Sequence, residues 1–489
     1  MPTGQGVEGD KQAVDSYKLQ IGGVVVNINI YTTEEEPVPI YALSFLNISN
    51  TTLRILDKLR EEFLSKVIVG TIQETEQEGG EDIKKKFEKE IKILIKKYFP
   101  GIDESTTNLL VNHVMLQNVG LGNIEILLKD ANLEEIVVNS SKEPIWVYHR
   151  KHGWLKTNAT IPTEAKIRHY ATTIGREVGK EITLLKPLMD AHLTTGDRVN
   201  ATLVPISNKG NTITIRKFSE KPWSITDLIN SGTISVETAC WVWLCIQHEL
   251  SMIIAGGTGS GKTSTLNAIA NFFPPNQRIL SIEDTRELTL PNTLHWVPLE
   301  TRMPNPEGKG EVSMLDLVIN TLRMRPDRII MGEIRRKAEA EVLFEAMHTG
   351  HSVYGTFHAN NAEETIMRLT NPPIEVPKST LSALSAILVQ NRNRRTGKRR
   401  TLQFAEIMTS GDANVIMRHD VANDRSIQVG VPKKLLETLE LYTGLTPDGI
   451  ADELKEKARV LNWFIANKID DVQKIGIIMA NYYRGKFKI

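Results

Sequence analysis

One stretch limits the folds open to this chain more than any other. Residues 251–255, Ser-Met-Ile-Ile-Ala, form an apolar run of strand character that leads straight into Gly256-Gly-Thr-Gly-Ser-Gly-Lys-Thr263. That is the spacing G-x-x-x-x-G-K-T, and a helical segment over 262–272 follows it. Glycines 256, 257, 259 and 261 let consecutive backbone N–H groups turn toward one centre, an anion nest at the positive end of the helix. Lys262 is placed to reach β- and γ-phosphates, and the Thr263 hydroxyl to meet a Mg²⁺ ion bridging them. Thr258, Ser260 and Ser264 complete the loop expected to line a nucleotide.

The surrounding order is helix (235–249), strand (251–255), glycine loop, helix (262–272) and strand (278–283), continuing in alternation. Such alternation predicts an α/β domain with a parallel sheet and crossover helices. Hydrolysis needs a carboxylate near the γ-phosphate, and in such a sheet it comes from the C-terminal ends of strands. Two segments qualify: Arg278-Ile-Leu-Ser-Ile-Glu283-Asp284, and Asp327-Arg-Ile-Ile-Met-Gly332-Glu333. The second resembles a Walker B strand whose usual aspartate is replaced by Gly332 followed by Glu333. Glu283 is expected to polarise the attacking water and Glu333 to enter the water or Mg²⁺ shell, with helix capping the alternative for Glu283 and Asp284. Arg286, Arg302 and Arg335 each follow such acids closely and either face nucleotide or pair with the neighbouring glutamate.

The rest of the 489 residues is consistent with an ordinary globular protein of several domains. Lys plus Arg and Asp plus Glu both total 59, so no overall field argues for nucleic acid. Two cysteines, Cys240 and Cys245, exclude a disulfide framework and point to a reducing compartment; with Trp241 and Trp243 between them they read as packing on a buried helix. No charged-then-apolar leader opens the sequence, and no run of 18 apolar residues occurs, so contact with a membrane is expected only through partners or a surface patch.

Residues 1–16 read as a frayed end, 17–31 as a strand, 40–48 as a second apolar stretch, 52–69 as a helix and 70–80 as a polar linker. Residues 83–98 form a basic amphipathic helix, with Ile83, Phe87, Ile91, Leu94, Ile95 and Tyr98 on one face and seven lysines elsewhere. It is either a solvated face with pairs such as Glu88 to Lys92, or a docking surface for anionic lipid or a partner. From 105 an α+β pattern follows: helices over 105–119 and 163–178, strands over 136–139, 145–149 and 212–217. Residues 448–466 and 470–483 read as closing helices. A cluster of six cations over 392–400 looks like a hairpin turning at Thr396 and Gly397; without aromatics for base stacking, a solvated tip is the better reading.

Four segments in order carry a resemblance: GGTGSGKT (256–263), IEDTREL (282–288), LRMRPDRIIMGEIR (322–335) and TGHSVYGTFHANN (349–361). Together they resemble the secretion ATPases that power type II secretion, type IV pili and the archaellum. RLTNPPIEVP (368–377) and the helical tail over 443–465 look like the archaeal branch. The resemblance implies a RecA-like motor domain with a parallel-rich sheet (223–489) and a helical tail. It also implies an α+β domain that closes over ATP (101–222) and an N-terminal docking module (1–100). Six such subunits would form a ring, with a flexible linker near 219–224. By the same resemblance Arg198 and Arg216 would touch phosphate on closure, Arg286 or Arg302 would do likewise, and His351 and His358 would sense or orient the γ-phosphate. Read on their own, these histidines stand seven apart across a strand-like 352–356, which argues against a shared helical face for metal.

The cofactors implied are ATP and Mg²⁺; zinc is not expected, since the chain has no C-x-x-C. Implied partners are a polytopic membrane platform protein and a pilin or archaellin filament, with no nucleic acid. The implied location is cytoplasmic, at the inner face of the cell membrane. A RecA-like nucleic-acid translocase is the main rival, because a shared fold does not fix function. A nucleotide-dependent scaffold with negligible turnover is a second.

Overall fold

The computed structural model describes residues 11–21, 24–45, 51, 52, 54–56, 58, 59, 62, 80–118, 121–193, 195–218, 221–304 and 308–487. The chain divides into two compact units, Met1–Glu220 and Lys221–Ile489.

The first unit is built on nine strands: β1 (Gln12–Ile21), β2 (Val24–Thr32), β3 (Ile40–Phe45), β4 (Leu133–Val138), β5 (Trp146–His149), β6 (Gly153–Thr157), β7 (Leu188–His192), β8 (Arg198–Thr202) and β9 (Thr212–Arg216). They form one sheet in the order β1-β2-β3-β6-β5-β4-β9-β8-β7, in which β3 and β6 run parallel and the other neighbours antiparallel. The expected single strand over 17–31 is instead two antiparallel arms, with Ile21 opposite Val24. Residues 12–16, expected to fray, belong to the first arm. Its outer face carries Ser16, Lys18 and Gln20, and that polar half of the alternation hides a strand from a reading by hydrophobicity. The Tyr17 and Tyr41 hydroxyls donate to Oδ2 of the fully buried Asp130 at 2.5 and 2.6 Å, which anchors these first strands to the rest of the unit.

The basic segment is a helix over Gly80–Tyr98. Its Ile91, Leu94 and Ile95 are fully buried against Leu110, Val111 and Val114 of the helix Glu104–Asn118. Lys92 pairs with Glu104 of that second helix and Lys97 with Glu62 at 2.9 Å, so the lysines reach across helices for their acids. Most of the helix expected over 52–69, and the linker over 70–79, lie outside the described residues. Residues on both sides of position 100 thus share a sheet and a helical pair.

The second unit contains β10 (Met252–Gly256), β11 (Arg278–Glu283), β12 (His295–Glu300), β13 (Arg328–Met331), β14 (Ser352–Phe357), β15 (Ala386–Arg392), β16 (Arg399–Ile407), β17 (Ala413–Asp420) and β18 (Arg425–Gln428). Their order is β12-β11-β13-β14-β10-β15-β16-β17-β18, parallel from β12 to β15 and antiparallel beyond. Strand β10 is buried along its whole length. Met252 and Ile254 enter one apolar cluster with Trp243, Leu266 and Phe272, while Ile253 and Ala255 enter another with Leu343 and Leu369. A strand covered on both faces reads as a continuous apolar run, which is what 252–255 shows. Cys240 and Cys245 are buried in the helix Val236–Gln247, where burial pushes both thiols up to about 12. No helix among the described residues is long and apolar enough to cross a membrane.

Candidate functional site

Because β10, β11, β12, β13 and β14 are parallel, their C-terminal ends gather on one edge of the sheet. The residues that follow Ala255, Ile282, Met331 and Phe357 in the sequence therefore converge: the glycine loop, Glu283, Glu333 and His358.

The loop leaves β10 at Gly256, where any Cβ would run into Ser260 Oγ and the Gln390 carbonyl. It enters the helix Lys262–Ile269 through Gly261, which caps that helix at φ 93°, a left-handed conformation that favours glycine. Ser260 Oγ donates to the Gly257 carbonyl at 2.8 Å. Lys262 is only 9% exposed and folds back over the loop, its Nζ donating to the Gly256 and Gly257 carbonyls at 2.9 and 3.0 Å. Thr263 is half-buried, and Thr258 and Ser264 are exposed.

A chain of charged contacts starts from this lysine. His358 Nδ1 lies 3.5 Å from Lys262 Nζ, and His358 Nε2 lies 3.0 Å from Glu333 Oε1. Burial, then the Lys262 charge, depresses the imidazole pKa, so the ring is neutral, accepting at Nδ1 and donating from Nε2. Arg335 Nη2 donates to Glu333 Oε2 at 2.8 Å and Nη1 to Asp284 Oδ2 at 2.5 Å, tying the ends of β13 and β11 together. Burial alone would raise the Glu333 pKa, but the Arg335 hydrogen bond and the charges of Arg335 and Lys262 outweigh it and hold the carboxylate ionised. A cavity of about 160 Å³ adjoins this group, lined by Glu333, Arg335, Phe357, His358, Arg368 and Pro373 among others.

Glu283 has the opposite environment. It is 2% exposed; Oε1 accepts from the Glu287 and Leu288 N–H groups at 2.9 and 3.1 Å, while Oε2 is buried without a hydrogen-bond partner. Burial pushes its pKa up to about 7. The helix-capping alternative is not met, because β11 leads through a loop to β12 with no helix between them; one Glu283 oxygen instead holds two backbone N–H groups of that loop.

Other expected residues stand elsewhere. His351 precedes β14, at the opposite edge of the sheet from His358 and roughly 20 Å away along an extended strand. Its Nδ1 lies 3.2 Å from both Thr349 Oγ1 and the Ala346 carbonyl. The Arg286 guanidinium sits 5.0 Å from the centre of the Trp296 ring. Arg302 donates from Nε to the Gly310 carbonyl at 2.6 Å. Arg198 and Arg216 belong to the first unit, directly opposite each other on β8 and β9, with Arg198 held by Asp190 at 2.7 Å. Of the three arginines that follow acids, Arg335 pairs with its neighbouring glutamate and also with Asp284.

The cationic hairpin differs from expectation. Its tip over 393–398 is exposed, but Arg399 turns from its base to the glycine loop, donating from Nε to the Gly259 carbonyl at 3.1 Å. Only the pairing of β15 with β10 brings these arginines to the loop, and local sequence carries no signal of that pairing.

The second unit is thus an α/β fold whose mixed sheet gathers a glycine loop, a lysine, a histidine and two carboxylates at one edge. Residues 188–422 match the family described as Type II/IV secretion system protein. The uncharacterized protein MJ0900 of Methanocaldococcus jannaschii is 38% identical over 380 residues, covering 75% of this chain and 68% of that relative. Type IV secretion system protein PtlH of Bordetella pertussis is 31% identical over 306 residues, covering 56% of this chain and 89% of PtlH. Among solved structures, the ATPase DotB of Legionella pneumophila is similar at 20% identity and a TM-score of 0.45, over 73% of this chain and 94% of that one. The chain belongs to the Type II/IV secretion system protein family.

Proposed function

We propose that the chain is an ATPase that hydrolyses ATP to ADP and phosphate and drives an archaeal type IV pilus-like filament or secretion system. The observation that carries this reading is the run from the glycine loop through Lys262 and His358 to Glu333, with the buried Glu283 on the neighbouring strand. PtlH, a type IV secretion system protein by name, supports the placement in a secretion machine.

In this reading the N–H groups of 256–263 cradle the phosphates, and Lys262 leaves the loop carbonyls to meet the β- and γ-oxygens. Thr263, in the first helical turn, and Glu333, held ionised, suit a Mg²⁺ ion and would hold it. When bound, the ion neutralises charge on the β- and γ-phosphates. Water attacks the γ-phosphorus, the bond to the ADP oxygen breaks, and the water proton passes to Glu283. His358 keeps Glu333 and Lys262 in register. Arg198, Arg216 and either Arg286 or Arg302 are the further cations that closure would bring to the transferring group, while His351, at the far end of β14 from the loop, takes no part in this site.

Residues 223–489 would be the RecA-like motor, and the first unit, which is not divided at residue 100, would supply both the part that closes over ATP (101–222) and the part that docks on a polytopic platform protein (1–100). Six copies would form the working ring, beneath the inner face of the membrane. The test is phosphate release from the full chain given Mg-ATP, with assembly mass read by light scattering. Turnover in particles of six copies is expected. Bound ATP without release would favour the scaffold, and stimulation by nucleic acid the translocase.

The helix Gly80–Tyr98 supplies a separate prediction. Its Lys85 and Lys89 are exposed beyond the lysines that pair with Glu104 and Glu62. A lysine near an anionic surface is worth about 1 kcal/mol, roughly fivefold in partitioning. Lys85→Glu with Lys89→Glu is therefore expected to cut co-sedimentation with anionic phospholipid vesicles by at least about 25-fold. Phosphate release should stay unchanged, and undiminished co-sedimentation would refute the docking role.

A further inference from the structure

The glycine loop has two flanks. On one side β14 leads to His358 and, beyond it, β13 and β11 lead to the carboxylates; on the other β15 runs parallel to β10, with Gly256 opposite Gln390. Strand β15 continues two residues past that point and ends at Arg392, level with the loop. A Cβ built on Gly259 would lie 3.3 Å from Arg392 Nη1, and one on Gly261 would lie 3.4 Å from Arg399 Cδ. Arg399 Nε already donates to the Gly259 carbonyl at 3.1 Å.

These two arginines are direct cross-strand partners, Arg392 opposite Arg399 in the antiparallel ladder of β15 and β16. Like charges set directly opposite in a ladder are destabilising. The neighbours on β16 and in the turn answer their own charge: Asp424 takes Lys398 at 3.1 Å and Arg400 at 2.7 Å. Arg399 turns the other way, to the loop, where Lys262 adds a third cation. A multiply charged anion in the nest reverses the sign of this repulsion. Guanidinium groups have the fork geometry that binds phosphate oxygens two at a time.

We propose that Arg392 and Arg399 form a second cationic clamp on the phosphate chain of the nucleotide, a role that rests on reading 256–263 as a nucleotide loop. Arg399 also fixes the loop through the Gly259 carbonyl, and its remaining N–H groups turn to phosphate. The clamp closes the site on the β15 flank, opposite the acids that handle the attacking water.

The test uses the full chain with Arg392→Ala, Arg399→Ala, Arg399→Lys and, as a control at the exposed tip, Arg394→Ala with Arg395→Ala. ATP and ADP binding are measured by titration calorimetry, and Tm is measured with and without nucleotide. Each single alanine variant should raise Kd for both nucleotides by about tenfold, the scale of one charge-assisted hydrogen bond, and shrink the nucleotide-induced rise in Tm. Arg399→Lys should recover part of the affinity, and the tip control should match wild type. Kd within twofold of wild type in both alanine variants would overturn the clamp. So would a lower Tm without nucleotide accompanied by an undiminished nucleotide-induced shift, since that pattern marks a purely structural pair. If the underlying reading fails instead, the wild-type chain binds no ATP and Lys262→Ala changes nothing, a result distinct from either.

Discussion

Phosphate release is expected to fall by about 10³-fold in Lys262→Ala, the scale of removing a preorganised charged donor from a phosphoryl-transfer site. The Lys262 ammonium holds the Gly256 and Gly257 carbonyls and faces His358 Nδ1. In the proposed reaction it exchanges these for the β- and γ-oxygens, on which negative charge grows as the bond to ADP breaks. Alanine removes the cation from both states. Lys262→Met keeps most of the buried stem, so it should lose turnover equally while shifting Tm less than the alanine variant does. Colorimetric phosphate release with parallel melting curves checks this. Turnover above a tenth of wild type in either variant would refute the cradle assigned to the loop.

Much of this edge was legible in the sequence because its parts are local. The run 252–255 followed by a glycine loop announces a buried strand and a turn, and 278–283 and 328–331 announce two more strands ending in acids. Parallel packing then dictates that the ends converge. What stayed hidden depends on register between distant segments. The contact of Arg399 with Gly259 spans 140 positions and exists only because β15 takes the place beside β10. His351 and His358 look equivalent in sequence, yet a strand separates them and the sheet keeps only His358 at the loop. Arg328 sits in the same acidic segment as Glu333 but enters β13 at its other end. There it is fully buried, donating to the Ile246 carbonyl at 2.6 Å and lying 4.7 Å from the Phe273 ring centre, a pin for the core. In the first unit, the polar outer face of β1 concealed where that strand begins, while its later residues fall within the strand expected over 17–31.

Glu283→Gln separates chemistry from stability, because the same burial governs both. With its pKa pushed up to about 7, Glu283 changes charge near neutral pH and is a proton acceptor matched to that range. Phosphate release by the wild-type chain should rise about tenfold per pH unit below that value and level off above it. Glutamine cannot take the water proton, so release should fall by about 10²- to 10³-fold, with ATP affinity retained because the phosphate cradle is untouched. Stability should move the other way. The folded-state pKa is raised above the unfolded value of 4.5, so between 4.5 and about 7 the folded chain binds more protons than the unfolded one. Unfolding free energy therefore declines as pH rises through that window and stays lowered above it, by on the order of 3 kcal/mol. Glutamine is neutral throughout and can still accept from the Glu287 and Leu288 N–H groups. Glu283→Gln is thus expected to melt higher than wild type at pH 8 and to converge with it near pH 4. A flat pH profile for wild-type turnover, or wild-type turnover in the glutamine variant, would remove Glu283 from the reaction. A variant that melts lower at pH 8 would show instead that the ionised carboxylate holds the turn after β11 more firmly than its burial disfavours it.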